Sequence, residues 1–176
     1  GVPVGLEAIR LAPERVAGLG ALFGAPGPPF RAAFPRPFSD LIQIAVRGLS
    51  RQPMPGQAIL RLGATVPPIA WHVCATIGFV GRDARPEVFH ADVRSTTNAE
   101  KKPYFRTMDA LIRHDARDVL PDVRCPVLIV SGGKDWVTPP AAAQEMAQMT
   151  PGSRLLLLPE ASHFGVIEYG SELWGP

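Results

Sequence analysis

The chain has 176 residues, long enough for one domain with a core of its own. Apolar residues make up 46% and charged residues 19%, and the formal net charge is +2, so composition points to a globular protein and gives no electrostatic basis for binding nucleic acid. The basic residues are mostly Arg and lie scattered, apart from the adjacent pair Lys101-Lys102, and such isolated charges read as solvated surface. Cys74 and Cys125 lie far apart without metal-ligand spacing, so both read as free, buried thiols and no metal site is expected.

Residues 2–11 (VPVGLEAIRL) carry apolar side chains at helical spacing, with Pro3 suited to a first turn. Pro13-Glu14-Arg15 ends that helix. The apolar run Val16 to Phe23 that follows predicts a strand buried on both faces, closed by the Gly/Pro-rich residues 24–29. Between 30 and 120 the pattern changes. Ser39 with Asp40 predicts the start of a helix over Leu41, Ile42, Ala45, Val46 and Leu49, and helical patches follow near 57–64, 68–80, 86–96 and 103–115. In the last of these, Tyr104, Phe105, Met108, Leu111 and Ile112 share one helical face. The apolar stretch 58–80 is long enough to raise the question of a membrane span, but Arg61, Pro67-Pro68 and His72 interrupt it and favour a helical hairpin. No strand is expected in this region.

A sheet pattern returns with Pro126 to Ser131 (PVLIVS), a buried strand, followed by the loop Gly132-Gly133-Lys134-Asp135. Thr138, just before Pro139, reads as the N-cap of a helix running to Met149. Pro151-Gly152 turns the chain into a second strand, Arg154 to Leu158, which residues 159–163 leave. Strand, helix and strand in this order imply parallel strands joined by right-handed crossovers.

In open parallel sheets functional groups gather just beyond the C-terminal strand ends. Asp135 and His163 each follow such an end by a few residues, so both are expected at one edge of the sheet. A carboxylate beside an imidazole fixes its tautomer through Nδ1–H and stabilises the imidazolium that forms when Nε2 takes a proton. That pair supplies the acid and base of a relay and requires a nucleophile.

With those residues in place, VSGGKDWVTPP followed by LPEASHFG resembles the C-terminal third of the α/β-hydrolase family, in which the triad acid follows strand 7 and the base follows strand 8. The opening GVPVGLEAIRLAPERVAGLGALFGAP resembles the helix and strand 6 that come after the family's nucleophile elbow, with Gly1 as the last glycine of G-x-S-x-G. The resemblance implies an α/β fold class: a partial α/β-hydrolase fold, strands 6–8 of the parallel sheet with flanking helices, plus a helical cap insertion. It divides the chain into core at 1–29, cap at 30–120, and core at 121–176 with the triad acid Asp135 and base His163. The nucleophile is then expected two residues before Gly1. Ser39, Ser50, Ser95, Ser131, Ser153, Ser162 and Ser171 all lack the flanking glycines of an elbow. The 176 residues alone are accordingly expected to be inactive, with the outer edge of strand 6 bare and solubility poor.

The function implied is hydrolysis of a small apolar ester or acyl substrate, with no cofactor, no nucleic-acid partner and no membrane span. Alternatives within the fold are an aspartate nucleophile, as in haloalkane dehalogenases and epoxide hydrolases, or haloperoxidase-like chemistry. A non-catalytic remnant or binding module is the alternative from another class. An Arg-rich, Lys-poor composition fits a bacterial source. The compartment is open, with the cytoplasm favoured, and the oligomeric state is not readable.

Trp136 and Phe164 directly follow the acid and the base, and with Trp71 and Phe79 of the helical region they are candidates for a substrate pocket, each with a competing core role. His72 reads as packed, and His90 and His114 as surface residues without a partner. Glu168 is expected to cap or solvate the next helix, and Cys125 to be structural.

Overall fold

A computed structural model describes the chain except residues 30–33, 83, 171–172, 174 and 176. Helix α1 (Val2–Leu11) begins at a proline-tolerant first turn, and a single 3-10 turn, Pro13–Arg15, separates it from strand β1 (Leu19–Leu22). Strand β2 (Val127–Gly132), helix α7 (Pro140–Met149) and strand β3 (Arg154–Leu158) complete a parallel sheet of order β1-β2-β3. Leu19 pairs with Val127 and Ile129 with Leu155. The first strand is shorter than the apolar run 16–23 suggests. Its ladder starts where Leu19 N–H reaches Pro126 O at 2.9 Å, and Pro126 has no N–H with which to extend the pairing back toward Val16.

One face of the sheet is well covered. Val2, Leu6 and Ile9 of α1, Ala143 and Met146 of α7, and Val119, Leu120 and Val123 of the turn 117–122 close on Ala21, Val127 and Ile129. On the other face Phe23, Ala161, Tyr169 and Leu173 pack around Val130 near the C-terminal strand ends, while Leu128 and Leu156 stay 44% and 42% exposed. Burial on both faces was expected for β1; among the described residues the second face is covered only toward the C-terminal rim, which is the rim that carries the site.

Between β1 and β2 lie α2 (Arg36–Arg51), α3 (Met54–Thr65), α4 (Pro67–Thr76), α5 (Pro86–Asn98) and α6 (Lys101–Leu111), with no strand among the described residues. α2 packs on α6, and α5 on α3 and α4. The apolar stretch 58–80 does form two helices hinged at Val66, and among the described residues no helix is long and apolar enough to cross a membrane.

Several local expectations are corrected by burial and hydrogen bonding. α2 starts at Arg36, earlier than Ser39, because prolines at 35 and 37 suit a helix entrance; the buried Ser39 hydroxyl instead donates to Arg36 O at 3.0 Å. Lys101, of the adjacent lysine pair, is buried. It is only 7% exposed, and its ammonium donates to Thr96 O and to Ala99 O at the C-terminal end of α5, where carbonyls lack helical partners. Cys74 and Cys125 are unpaired but half-buried, not fully buried.

Candidate active site

The site is built where two loops leave neighbouring parallel strands. Gly133 N–H donates to Leu158 O at 2.8 Å and Lys134 N–H to Ala161 O at 3.0 Å, laying the loop after β2 directly on the loop after β3. This approach needs the glycine pair. A Cβ on Gly132 would stand 2.3 Å from Ala161 O, and one on Gly133 2.2 Å from Pro159 O, both of them backbone atoms that cannot swing aside.

Held by that stack, the Asp135 side chain is fully buried. Its Oδ1 accepts the N–H groups of Val137 at 2.9 Å and Thr138 at 2.8 Å, a turn closed by the aspartate on its own loop. Its Oδ2 accepts the Thr138 hydroxyl at 2.7 Å and lies 3.0 Å from Nδ1 of His163. The sequence thus sends Asp135 and His163 to one rim, and the fold places them within a hydrogen bond. An ionised carboxylate only accepts, so Nδ1 carries the hydrogen and Nε2 keeps a lone pair free to take a proton. The imidazole is 28% exposed, while its carboxylate partner has no contact with solvent.

Thr138 has a larger part than that of a helix cap. Pro139 occupies the N-cap position of α7, and the Thr138 hydroxyl lies 2.7 Å from Asp135 Oδ2, 3.1 Å from Phe23 O and 3.3 Å from His163 Nδ1. Its single proton serves either the carboxylate or the Phe23 carbonyl. Phe23 ends β1 with φ of 45°, a left-handed conformation costly for a bulky side chain, and its carbonyl is the one that reaches Thr138. Thr138 therefore joins the ends of β1 and β2 to the acid–base pair. The sequence signal for this was the spacing Asp-x-x-Thr, an aspartate turn in its own right.

Aromatic rings surround the imidazole. Phe79, from the loop after α4, has its centroid 6.1 Å from His163, 5.9 Å from Trp136 and 5.2 Å from Phe164. Phe164 also meets Phe89 at 5.8 Å, and Trp136, 37% exposed, meets Phe34 at 5.9 Å. Of the four aromatic pocket candidates, Phe79 and Phe164 therefore meet the His163 ring directly, and Trp136 joins the group through Phe79. The fourth, Trp71, packs against Ala75, Val80, Ala84 and Phe89 within the helical segment, beside His72.

The remaining histidines differ from expectation. His72 is exposed. His90 is half-buried with Nε2 3.0 Å from Pro67 O, and His114 pairs with Glu7 at 2.8 Å, a partner 107 residues away that no local pattern announces. Its hydrogen bond, followed by that of Arg10, holds the Glu7 carboxyl below the usual carboxylate range. Burial pushes the Cys74 thiol up, which leaves it a poor nucleophile near neutral pH. Among the described residues no three His, Cys, Asp or Glu side chains converge as a metal site would require. Glu168, expected to cap or face solvent, instead turns its carboxylate back onto Ser162, the residue before His163.

A profile of the alpha/beta hydrolase fold matches residues 76–169, more than half of the chain. The chain belongs to the α/β-hydrolase fold family. Among curated α/β hydrolases, a pimeloyl-[acyl-carrier protein] methyl ester esterase from Neisseria meningitidis is 43% identical over 56 residues, covering 32% of this chain and 22% of that protein. Among solved structures, an esterase from Exiguobacterium antarcticum superposes with a TM-score of 0.72 at 20% identity, over 98% of this chain and 60% of that one. The enol-lactonase from Burkholderia xenovorans LB400 gives 0.70 at 21% identity, over 97% and 58%. The likeness to these structures is one of fold, and this α/β-hydrolase chain spans about three fifths of their length and about a fifth of the curated relative's.

Proposed function

We propose that the whole protein hydrolyses a small, mostly apolar ester or related acyl substrate, with His163 as general base and acid and Asp135 as the carboxylate that orients it. The observation that carries this reading is the 3.0 Å contact between His163 Nδ1 and Asp135 Oδ2, with the carboxylate buried and the imidazole partly open. The nucleophile belongs to the elbow that the opening residues resemble, two positions before Gly1. Residues 30–120 act as a cap over a core made of 1–29 and 121–176. The contact of Phe79, which lies in that cap, with the ring of His163 supports the assignment.

In the forward step Nε2 removes the proton of the nucleophile's hydroxyl as its oxygen bonds the acyl carbon. The imidazolium, held through Nδ1–H by Asp135, then returns that proton to the departing alkoxide. Water enters by the same route, giving its proton to Nε2 and its oxygen to the acyl carbon; the bond from that carbon to the nucleophile's oxygen breaks, the imidazolium returns the proton to that oxygen, and one ester and one water have yielded one acid and one alcohol. Such proton transfer is worth about 10²–10⁴ in rate. The rings of Phe79, Trp136 and Phe164 favour an apolar acyl or alcohol group next to the base. The names of the three relatives refer to methyl ester, esterase and lactone chemistry, each centred on an acyl–oxygen bond, which favours the same substrate class.

The test uses the full-length protein and p-nitrophenyl butyrate. His163→Ala is expected to lower kcat by at least about 10³ and to abolish the acyl adduct that wild-type protein, acid-quenched during turnover, carries on one serine, seen by intact-mass and peptide mass spectrometry. An alkyl adduct on an aspartate from a haloalkane or epoxide would replace this reading with the aspartate-nucleophile one. Turnover unchanged by His163→Ala would end both.

A further inference from the structure

The carboxylate of Glu168 has no part in the proton relay, yet three donors from two distant parts of the chain converge on it. Ser162 N–H donates to Oε2 at 2.9 Å, the Ser162 hydroxyl donates to Oε1, and Gly81 N–H donates to Oε1 at 2.6 Å. Ser162 is 2% exposed and immediately precedes His163; Gly81 lies 87 residues from Glu168, in the segment between α4 and α5. The Ser162 hydroxyl is also 3.3 Å from Phe79 O, and its oxygen accepts Phe164 N–H at 3.2 Å. A cavity of about 540 Å3, lined by Ala75, Val80 and Gly81 on one side and by Lys134, Ser162 and Glu168 on the other, opens along the seam that this contact closes.

We propose that Glu168 is a positioning residue that locks the His163 loop to the helical cap, so that seating the cap and holding the base in place are one event. The inference rests on the reading of His163 as the base. Only an ionised carboxylate suits the geometry, because both oxygens must accept and together they take three hydrogens. A glutamine has one accepting oxygen and would turn an N–H₂ toward a donor, so at least one arm opens. The cap side of the lock requires glycine as well. A Cβ on Gly81 would lie 2.7 Å from Glu168 Cδ and 2.9 Å from each carboxylate oxygen. Those atoms are the mobile end of a side chain, so Gly81→Ala expels the carboxylate and leaves the backbone in place. Two substitutions far apart in sequence should therefore have one effect.

The experiment compares Glu168→Gln, Gly81→Ala and, as a control, Glu160→Gln in the full-length protein, using amide hydrogen exchange and the pH profile of p-nitrophenyl butyrate turnover. Glu160 lies on the His163 loop and is the exposed partner of Lys134. Glu168→Gln and Gly81→Ala are each expected to speed exchange at both Gly81 and Ser162 at least about tenfold and to lower kcat/KM by about 10- to 100-fold through a misplaced base. The acidic limb of kcat/KM should also move to lower pH, since an imidazole released from Asp135 loses stabilisation of its charged form. Exchange at wild-type rates in both variants overturns the lock, as does faster exchange at Gly81 alone with an unmoved pH limb, or an equal effect of Glu160→Gln. Should Glu168→Gln fail to fold, Gly81→Ala decides alone. Quickened exchange at both amides in a full-length protein that turns over no ester would uphold the contact and remove only the chemistry proposed above.

Discussion

Replacing Thr138 by valine keeps the shape of the side chain and deletes its hydroxyl. Asp135 Oδ2 then loses its 2.7 Å donor and keeps only His163, and Phe23 O loses its 3.1 Å donor. Water cannot replace the lost donor easily, because the Asp135 side chain is wholly inaccessible and Thr138 is only 6% exposed. A hydrogen bond to a buried charged group contributes about 1.5–3 kcal/mol. The hydroxyl has one proton to share between two acceptors, so the expected loss is about 2 kcal/mol rather than the sum of two bonds. For a protein of this size or somewhat larger that corresponds to a fall in Tm of about 4–8 °C. Urea denaturation of the full-length protein, with Thr138→Ser alongside, measures it: serine retains the hydroxyl and gives up one methyl, for a cost of about 1 kcal/mol. Equal destabilisation by valine and serine would show that the methyl matters and the hydroxyl does not, which would refute the role assigned to Thr138.

Asp135→Asn should leave the fold in place, since the amide oxygen can still accept from Val137 and Thr138, but its N–H₂ then faces Nδ1 and forces the opposite tautomer; kcat of the full-length protein should fall about 10⁴-fold, read in steady-state ester turnover. Gly133→Ala drives a methyl to within 2.2 Å of Pro159 O and separates the two loops, with an expected loss of about 1–3 kcal/mol in chemical denaturation, whereas Gly20→Ala, where nothing lies within 4 Å of the added carbon, should cost little. The Glu7 carboxyl is lowered by His114 and then by Arg10, so its contribution to stability is complete above its ordinary value of 4.5 and is lost as pH falls through that range. Thermal melts of Glu7→Gln at fixed ionic strength should therefore differ from wild type at pH 6, with the difference shrinking as pH falls below 4.5 through the lowered folded value; a difference that stays constant down to the acid limit of folding would refute the assignment.

Much of the core was legible because its local signals agree. Strand-length apolar runs, the proline and glycine punctuation at 24–29 and 132–133, and the helical spacing of 2–11 each predict an element that forms close to its expected place. The nearness of Asp135 to His163 was legible for a related reason: parallel topology sends both strand ends to one rim, so the two residues could be paired before any distance was known. What depended on contacts between residues far apart in sequence was not legible. Thr138 looked like a cap because a Thr before Pro is one in isolation, whereas its bond to Phe23 O spans 115 residues, and His114 looked unpartnered because Glu7 lies 107 residues away.

Sequence alone determined which residues can do chemistry and on which edge of the sheet they emerge, since residue type and strand order are written locally. The tertiary structure decided how that chemistry is held. The close stacking of two glycine-dependent loops, the hydroxyl of Thr138 between three partners, and the three donors gathered on Glu168 from as far away as Gly81 exist only once the chain has folded back on itself. Hydrogen bonds of this kind need atoms placed within a few tenths of an ångström, and no pattern of neighbours along the chain encodes that precision.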